Sequence, residues 1–309
     1  MRTKYRVLFL IALVLSGLVL VGAFYYTRVG TPLKSSLAPV FQVLGHATQA
    51  LDSLIARVVP VDSLDERELG QVIAVRYNRE ANKADLDFIY LNELVKNFAR
   101  ALKKPFEYKV YVLDQQEPNA LALPGGVVLV TRGLLNVMNS EAELVAVLAH
   151  ELGHIERDHC FEAAKFQLLA QRVGLQTYGQ IADLVVKLLI GHTFSKTQED
   201  QADEYAYEFL IHSSYDPRGV GESFAQMLTY GQGKKGLTAK ESRANVLRDY
   251  FMSHPPLAIR KEKFMERANA WWRAHPTERR YVGKWNLERR KSFYDFSNIE
   301  TEWVTGSIL

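Results

Sequence analysis

Ser140-Glu141-Ala142-Glu143-Leu144-Val145-Ala146-Val147-Leu148-Ala149-His150-Glu151-Leu152-Gly153-His154-Ile155 is the stretch on which the reading of this chain turns. Ser140 and Glu143 form an S-x-x-E capping box, the pattern that satisfies the first free N–H groups of a helix. Leu144, Val147, Leu148, Leu152 and Ile155 follow at helical spacing, so the segment predicts a helix. Inside it lies His150-Glu151-Leu152-Gly153-His154, the pattern H-E-x-x-H. Four residues advance a helix by about 400°, which leaves the two imidazoles about 40° apart on one face, where both reach one ion. Glu151 stands beside them, placed to accept a proton from a water on that ion without taking a coordination position.

A catalytic zinc takes three protein ligands and keeps one position open. In the extended pattern H-E-x-x-H-x-x-G-x-x-H the glycine and third histidine would fall on Arg157 and Cys160, so that arrangement is absent. His159 would lie roughly 140° round a continued helix from His154, on the surface or behind a ligand rather than on the ion. The better third ligand is Glu199, in Glu199-Asp200-Gln201-Ala202-Asp203 on a second helix expected from Glu199 to Ile211, before the turn residues Asp216-Pro217 and Gly219. Glu199 completes a His₂Glu set for one Zn²⁺ per chain, and Asp203, one turn on, can fix a ligand imidazole by accepting its second N–H. Taken alone, these acids read equally as a solvated helix face continued by Glu204 and Glu208. The upstream ligand pair without a third partner decides for the metal.

Around this centre the periodicity predicts a mainly helical α+β domain with a small β-sheet flanking the active-site helix. Leu86, Ile89, Tyr90, Leu94, Phe98 and Leu102 share a helical face from Asp85 to Leu102, and Pro105 ends that helix. Phe106, Tyr108, Val110 and Val112 then alternate with polar neighbours as a half-buried strand does, and Val127 to Thr131 forms a second strand after Pro124-Gly125-Gly126. Ile181 to Ile190 is apolar but too short, and too interrupted by Asp183 and Lys187, to cross a membrane. Gly231 to Gly236 reads as a mobile loop.

The 309 residues are 48% hydrophobic and 24% charged, the balance of a globular domain, and a net charge of +3 without a basic stripe sets nucleic acid aside. The single cysteine, Cys160, excludes an internal disulfide and gives little support to a catalytic thiol. Arg2, Lys4 and Arg6 precede an uncharged run from Val7 to Tyr26, which as a helix covers about 30 Å, the depth of a bilayer core. The basic flank stays inside, so everything after Arg28 is exported. In a bacterium this predicts a single-pass inner-membrane protein with its catalytic domain in the periplasm, the alternative being release after cleavage near Val21-Gly22-Ala23. The expected organisation is anchor or signal segment 1–28, tether 29–64, zinc-site domain 65–270 and a tail 271–309 packing on it. Trp271, Trp272, Trp285 and Trp303 read as packing and tail-docking groups.

Four motifs together, Asn119-Ala120-Leu121-Ala122-Leu123-Pro124-Gly125-Gly126, His150 to His154, Glu199 to Asp203, and Ser253-His254-Pro255-Pro256, carry a resemblance to peptidase family M48 of the gluzincins, the HtpX-like group, in its singly anchored or periplasmic branch. The similarity spans Asp65 to Arg267. Lys196 stands where the family often has Arg, and Ala206 where it often has Gly. The resemblance implies zinc, Glu199 as third ligand, and metalloendopeptidase cleavage of protein or peptide substrates, often misfolded envelope proteins. It also brings His254 to the site as a hydrogen-bond donor to the tetrahedral intermediate; on its own, His254 before Pro255 reads as a helix start without chemistry. Gly125 and Gly126 let backbone approach a substrate, and Val127, Val128 and Leu129 are expected as an edge strand pairing with an extended peptide, alongside Asn119 and Ala120. A peptide-capturing, chaperone-like zinc protein is the alternative, and intact Glu151 argues against it. A purely structural zinc site would need more cysteines.

Overall fold

The computed structural model describes residues 63–98, 101–172, 178–190, 192–233, 257–295 and 298–306, all within one compact unit, Ala56–Leu309. The apolar segment Val7 to Tyr26, the tether to 62, and the Ser253-His254-Pro255-Pro256 motif lie outside these residues. Among the described residues no helix is long and apolar enough to cross a membrane.

Helices α1 (Ser63–Glu80) and α2 (Leu86–Phe98) precede strands β1 (Lys109–Leu113), β2 (Ala120–Leu123) and β3 (Val127–Thr131). Then come α3 (Arg132–Val137), α4 (Glu141–Glu156), α5 (His159–Arg172), α6 (Tyr178–Ile190), α7 (Lys196–Ile211), α8 (Gly219–Gly233) and α9 (Leu257–Ala274). Strand β4 (Arg279–Tyr281), helix α10 (Lys284–Arg289) and strand β5 (Trp303–Thr305) close the chain, β4 pairing antiparallel with β5. Gly231 to Gly233, expected in a loop, are the last turn of α8. Helix α9 runs on to Ala274, so the expected boundary after residue 270 falls inside it.

The sheet corrects one expectation. Its order is β1-β3-β2, with β1 parallel and β2 antiparallel to β3, so β3 is paired on both sides. Val127, Val128 and Leu129 are therefore interior, and their backbone cannot take on a peptide as an added strand. Ala120-Leu121-Ala122-Leu123 is the reason: four small or aliphatic residues, too short to show a period, make a strand of their own. Gly125 and Gly126, at φ 74° and 92°, turn it back tightly onto β3, a left-handed conformation that other side chains resist. The edges are β1 and β2, and on the outer side of β2 the Ala122 N–H and carbonyl point away from β3 and are taken by Glu151 and Cys160.

Helix α4 is the centre of the domain and is buried from Glu141 to Ile155 on every side. A helix in that position has to be apolar all round except where its polar groups find partners. At its start the Ser140 hydroxyl accepts the Glu143 N–H (3.2 Å), but the Glu143 carboxylate accepts from Asn139 (2.8 Å), one residue earlier than a capping box requires. The reciprocal box instead opens α7, between Ser195 and Gln198. Gly153 lets α4 and α7 close on each other: a Cβ there would lie 3.0 Å from Tyr205 Cβ and 3.2 Å from Ala202 Cα.

Glu141, at the base of α4, gathers three distant segments. Its carboxylate accepts the hydroxyls of Tyr90 on α2 (2.8 Å) and Tyr215 (2.6 Å) and the N–H of Phe293 (2.9 Å). Burial, only partly offset by these donors, pushes its carboxyl up to about 7. The C-terminal segment is held in the same way from its own side. Trp272 is buried and donates to Asp216 (3.1 Å), while Trp303 packs edge-on against Tyr281 at 5.1 Å.

Candidate metal centre and active site

His150 and His154 lie one turn apart on α4, and Glu199 faces them from the first turn of α7. Their Nε2 atoms are 3.1 Å apart, and Glu199 places one oxygen 3.6 Å from His150 Nε2 and the other 3.4 Å from His154 Nε2. All three residues are buried, and one ligand atom from each falls within 4.8 Å of the others. A tetrahedral zinc with bonds of about 2.0–2.1 Å spaces its ligand atoms roughly 3.3 Å apart. The three converging atoms fit that spacing, and two imidazoles with one carboxylate are a donor set that zinc accepts.

What stands behind the ligands is as specific as the ligands. Asp203 Oδ1 lies 2.9 Å from His150 Nδ1, so the imidazole gives its Nδ1 proton to the carboxylate and turns Nε2 toward the ion site. Burial works against the Asp203 charge, but the bonds from His150 and Arg260 outweigh it and hold the carboxyl below its ordinary range.

Arg260, on α9, was not foreseen. Its guanidinium donates from Nε to Asp203 Oδ2 (2.7 Å), pairs with Asp203 Oδ1 through a second nitrogen (2.5 Å), and reaches Glu199 Oε2 at 3.0 Å. Its other face lies on the Phe224 ring, 4.4 Å from the centroid. One buried cation thus balances two buried carboxylates, which otherwise would cost several kcal/mol each to desolvate. A signal existed in the sequence: Leu257, Phe264, Ala268 and Trp272 form the buried stripe of α9, and Arg260 sits in that stripe. A charge on an apolar face announces a partner.

The far side of His154 is closed by aromatic rings. Phe194 stacks on it with centroids 3.9 Å apart, and His159 Nδ1 lies 3.0 Å from His154 Nδ1. His159 is buried, and that burial holds its imidazole below its ordinary range. His159 thus stands behind His154, one of the two places the sequence allowed it, but reaches it by a turn and not by a continued helix: α4 ends at Glu156, Asp158 turns the chain at φ 64°, and His159 opens a new helix.

Glu151 Oε2 accepts the Ala122 N–H at 2.8 Å, which puts the carboxylate between the ion site and the outer edge of β2. Cys160 lies beside it, its thiol donating to the Ala122 carbonyl (3.4 Å). Complete burial pushes that thiol well above its ordinary range, so Cys160 is no nucleophile.

Of the expected peptide-binding residues, Ala120 opens β2, two residues before Ala122, whose N–H Glu151 accepts. Asn119 is spent on the hairpin, its N–H going to Thr131 Oγ1 (2.9 Å) and its carbonyl receiving the Thr131 N–H (3.0 Å). Gly125 and Val127 line a separate cavity of about 230 Å³ with Arg67, Gln71, Asn78 and Lys109, and none of the metal-site residues borders it.

Comparison with known proteins agrees with this geometry. The family model described as Peptidase family M48 matches residues 85–268. The chain is similar to Metalloprotease LoiP of Escherichia coli K12, 28% identical over 178 residues that cover 54% of this chain and 64% of that one. It is also similar to Mitochondrial metalloendopeptidase OMA1 of Arabidopsis thaliana, 26% identical over 202 residues, covering 63% and 39%. A third relative is Beta-barrel assembly-enhancing protease of Yersinia pestis, 27% identical over 206 residues, covering 60% and 39%. The matched region thus spans between 39% and 64% of these relatives' own lengths.

Proposed function

The chain belongs to peptidase family M48; we propose that it is a metalloendopeptidase that hydrolyses peptide bonds of envelope proteins, with zinc held by His150, His154 and Glu199 and with Glu151 as the proton carrier. The observation that carries this reading is the convergence of His150, His154 and Glu199 in a buried cluster with Glu151 alongside. Zinc bound there supplies Lewis acidity, lowering the pKa of water and polarising a carbonyl. Glu151 takes the proton of the attacking water and then hands it to the leaving amine nitrogen. Asp203 and Arg260 hold His150 and Glu199 in place throughout. His254 is proposed to donate to the developing oxyanion.

The envelope setting rests on the apolar segment Val7 to Tyr26 with its basic flank and on the name of the assembly-enhancing relative. It implies a periplasmic catalytic domain acting on misfolded or misassembled proteins. Digestion of unfolded casein by the purified full chain tests the reading. Cleavage that stops with a chelator, returns with zinc and is absent in Glu199→Ala is expected; chelator-insensitive cleavage would refute it. Fractionation of expressing cells, with and without residues 1–28, tests the location.

A further inference from the structure

The two ligand imidazoles are supported in different ways. His150 leans on a carboxylate, Asp203, itself neutralised by Arg260. Behind His154 stands an imidazole: its Nδ1 lies 3.0 Å from His159 Nδ1, and His159 Nε2 lies 2.9 Å from Gln201 Oε1. The proton positions in this chain are fixed by its two ends. The Gln201 oxygen can only accept, so His159 carries its proton on Nε2 and offers a bare Nδ1. His154 must leave Nε2 free for the ion, so its proton is on Nδ1 and is donated to that bare nitrogen. Phe194, stacked on His154 at 3.9 Å, fixes the tilt of the ring, and the hydrogen bond fixes its rotation within that plane.

We propose that His159 and Gln201 are positioning residues for His154, a neutral imidazole and amide relay that holds the second metal ligand in its coordinating tautomer. The proposal rests on the zinc reading above. The relay runs from a buried ligand to a surface residue, since His159 is 4% exposed and Gln201 is exposed on α7. It also joins three elements, because His154 lies in the last turn of α4, His159 begins α5 and Gln201 lies on the ligand helix α7. Metal ligands lose affinity when the group behind them is removed, typically by about 10–100-fold.

The experiment is zinc affinity of the full chain, measured by competition with a chromogenic chelator, with no activity readout needed. His159→Phe keeps the aromatic volume and deletes the acceptor, and a loss of about 10–100-fold is expected. His159→Asn places an amide oxygen where Nδ1 was, and is expected to recover most of that loss. Gln201→Leu, at an exposed position that does not threaten folding, is expected to weaken binding less, and Gln201→Glu not at all. Wild-type affinity in His159→Phe, or an Asn variant as weak as the Phe variant, overturns the relay. Should His159→Phe fail to fold, unchanged affinity in Gln201→Leu overturns it. If the wild-type chain does not bind one zinc, the metal reading itself fails, and the two failures are told apart.

Discussion

The Glu151 carboxylate holds the Ala122 N–H at 2.8 Å and so joins the middle of α4 to the outer edge of β2. An amide oxygen can accept the same N–H, so Glu151→Gln is expected to fold and to bind zinc like the wild type. It cannot take a proton from water, and cleavage of a defined peptide should fall by about 10²–10⁴-fold. Metal analysis beside the kinetics checks both halves, and retained cleavage would remove Glu151 from the base role.

Arg260 lies between Glu199 and Asp203, and all three are buried. In the metal-free chain Arg260→Leu leaves two carboxylates in the interior without their cation, and a destabilisation of about 3–5 kcal/mol is expected in denaturant unfolding under chelator. Arg260→Lys restores a charge but not the two-pronged fit to Asp203, so it should rescue only part. A Leu variant as stable as the wild type would mean that water, not Arg260, balances these acids.

Glu141 and Glu143 sit in the first turn of α4, and burial raises both carboxyls to about 7 from an ordinary 4.5. Between those values the folded chain binds protons that the unfolded chain has released. Stability is therefore greatest below 4.5 as far as these groups contribute, and is lost as pH rises toward 7. Each contributes on the order of 1–3 kcal/mol across that window. Glu141→Gln keeps one acceptor oxygen, for Tyr215 and the Phe293 N–H, turns an NH₂ toward the Tyr90 oxygen and cannot titrate, so unfolding free energies measured from pH 4.5 to 7.5 should fall less steeply than in the wild type. An unchanged slope would show that Glu141 titrates normally.

His254 acts, in the proposed mechanism, only on the transition state. His254→Ala should lower kcat and kcat/KM together, by about 10²-fold or more, with KM and zinc content unchanged. Lost zinc would make it a ligand, and unchanged kcat a structural residue.

Local chemistry made the first half of the site legible. The 3.6-residue period alone puts His150, Glu151 and His154 together, because four residues on one helix fix their relative positions wherever the helix lies. Coordination chemistry carried the argument to Glu199, since two ligands on a catalytic zinc demand a third. Asp203 followed from sharing a helix face with Glu199. Strand β3 was legible to the residue from its β-branched run, but its place in the sheet was not. Which strand is the edge depends on whether Ala120 to Leu123 folds back onto it, and four small residues carry no period that says so. For His159 the sequence left surface and a place behind a ligand open, and the choice between them fell to Asp158, whose left-handed turn ends one helix and aims the next. Arg260 comes from a helix whose approach to α7 is set by packing across the whole core. The sequence by itself predicted the grouping of His150, His154 and Glu199 that the fold brings together, because helical spacing and coordination chemistry are local arguments. The tertiary structure alone decided the supports behind them and the edge that faces Glu151, because those are contacts between segments far apart in the chain.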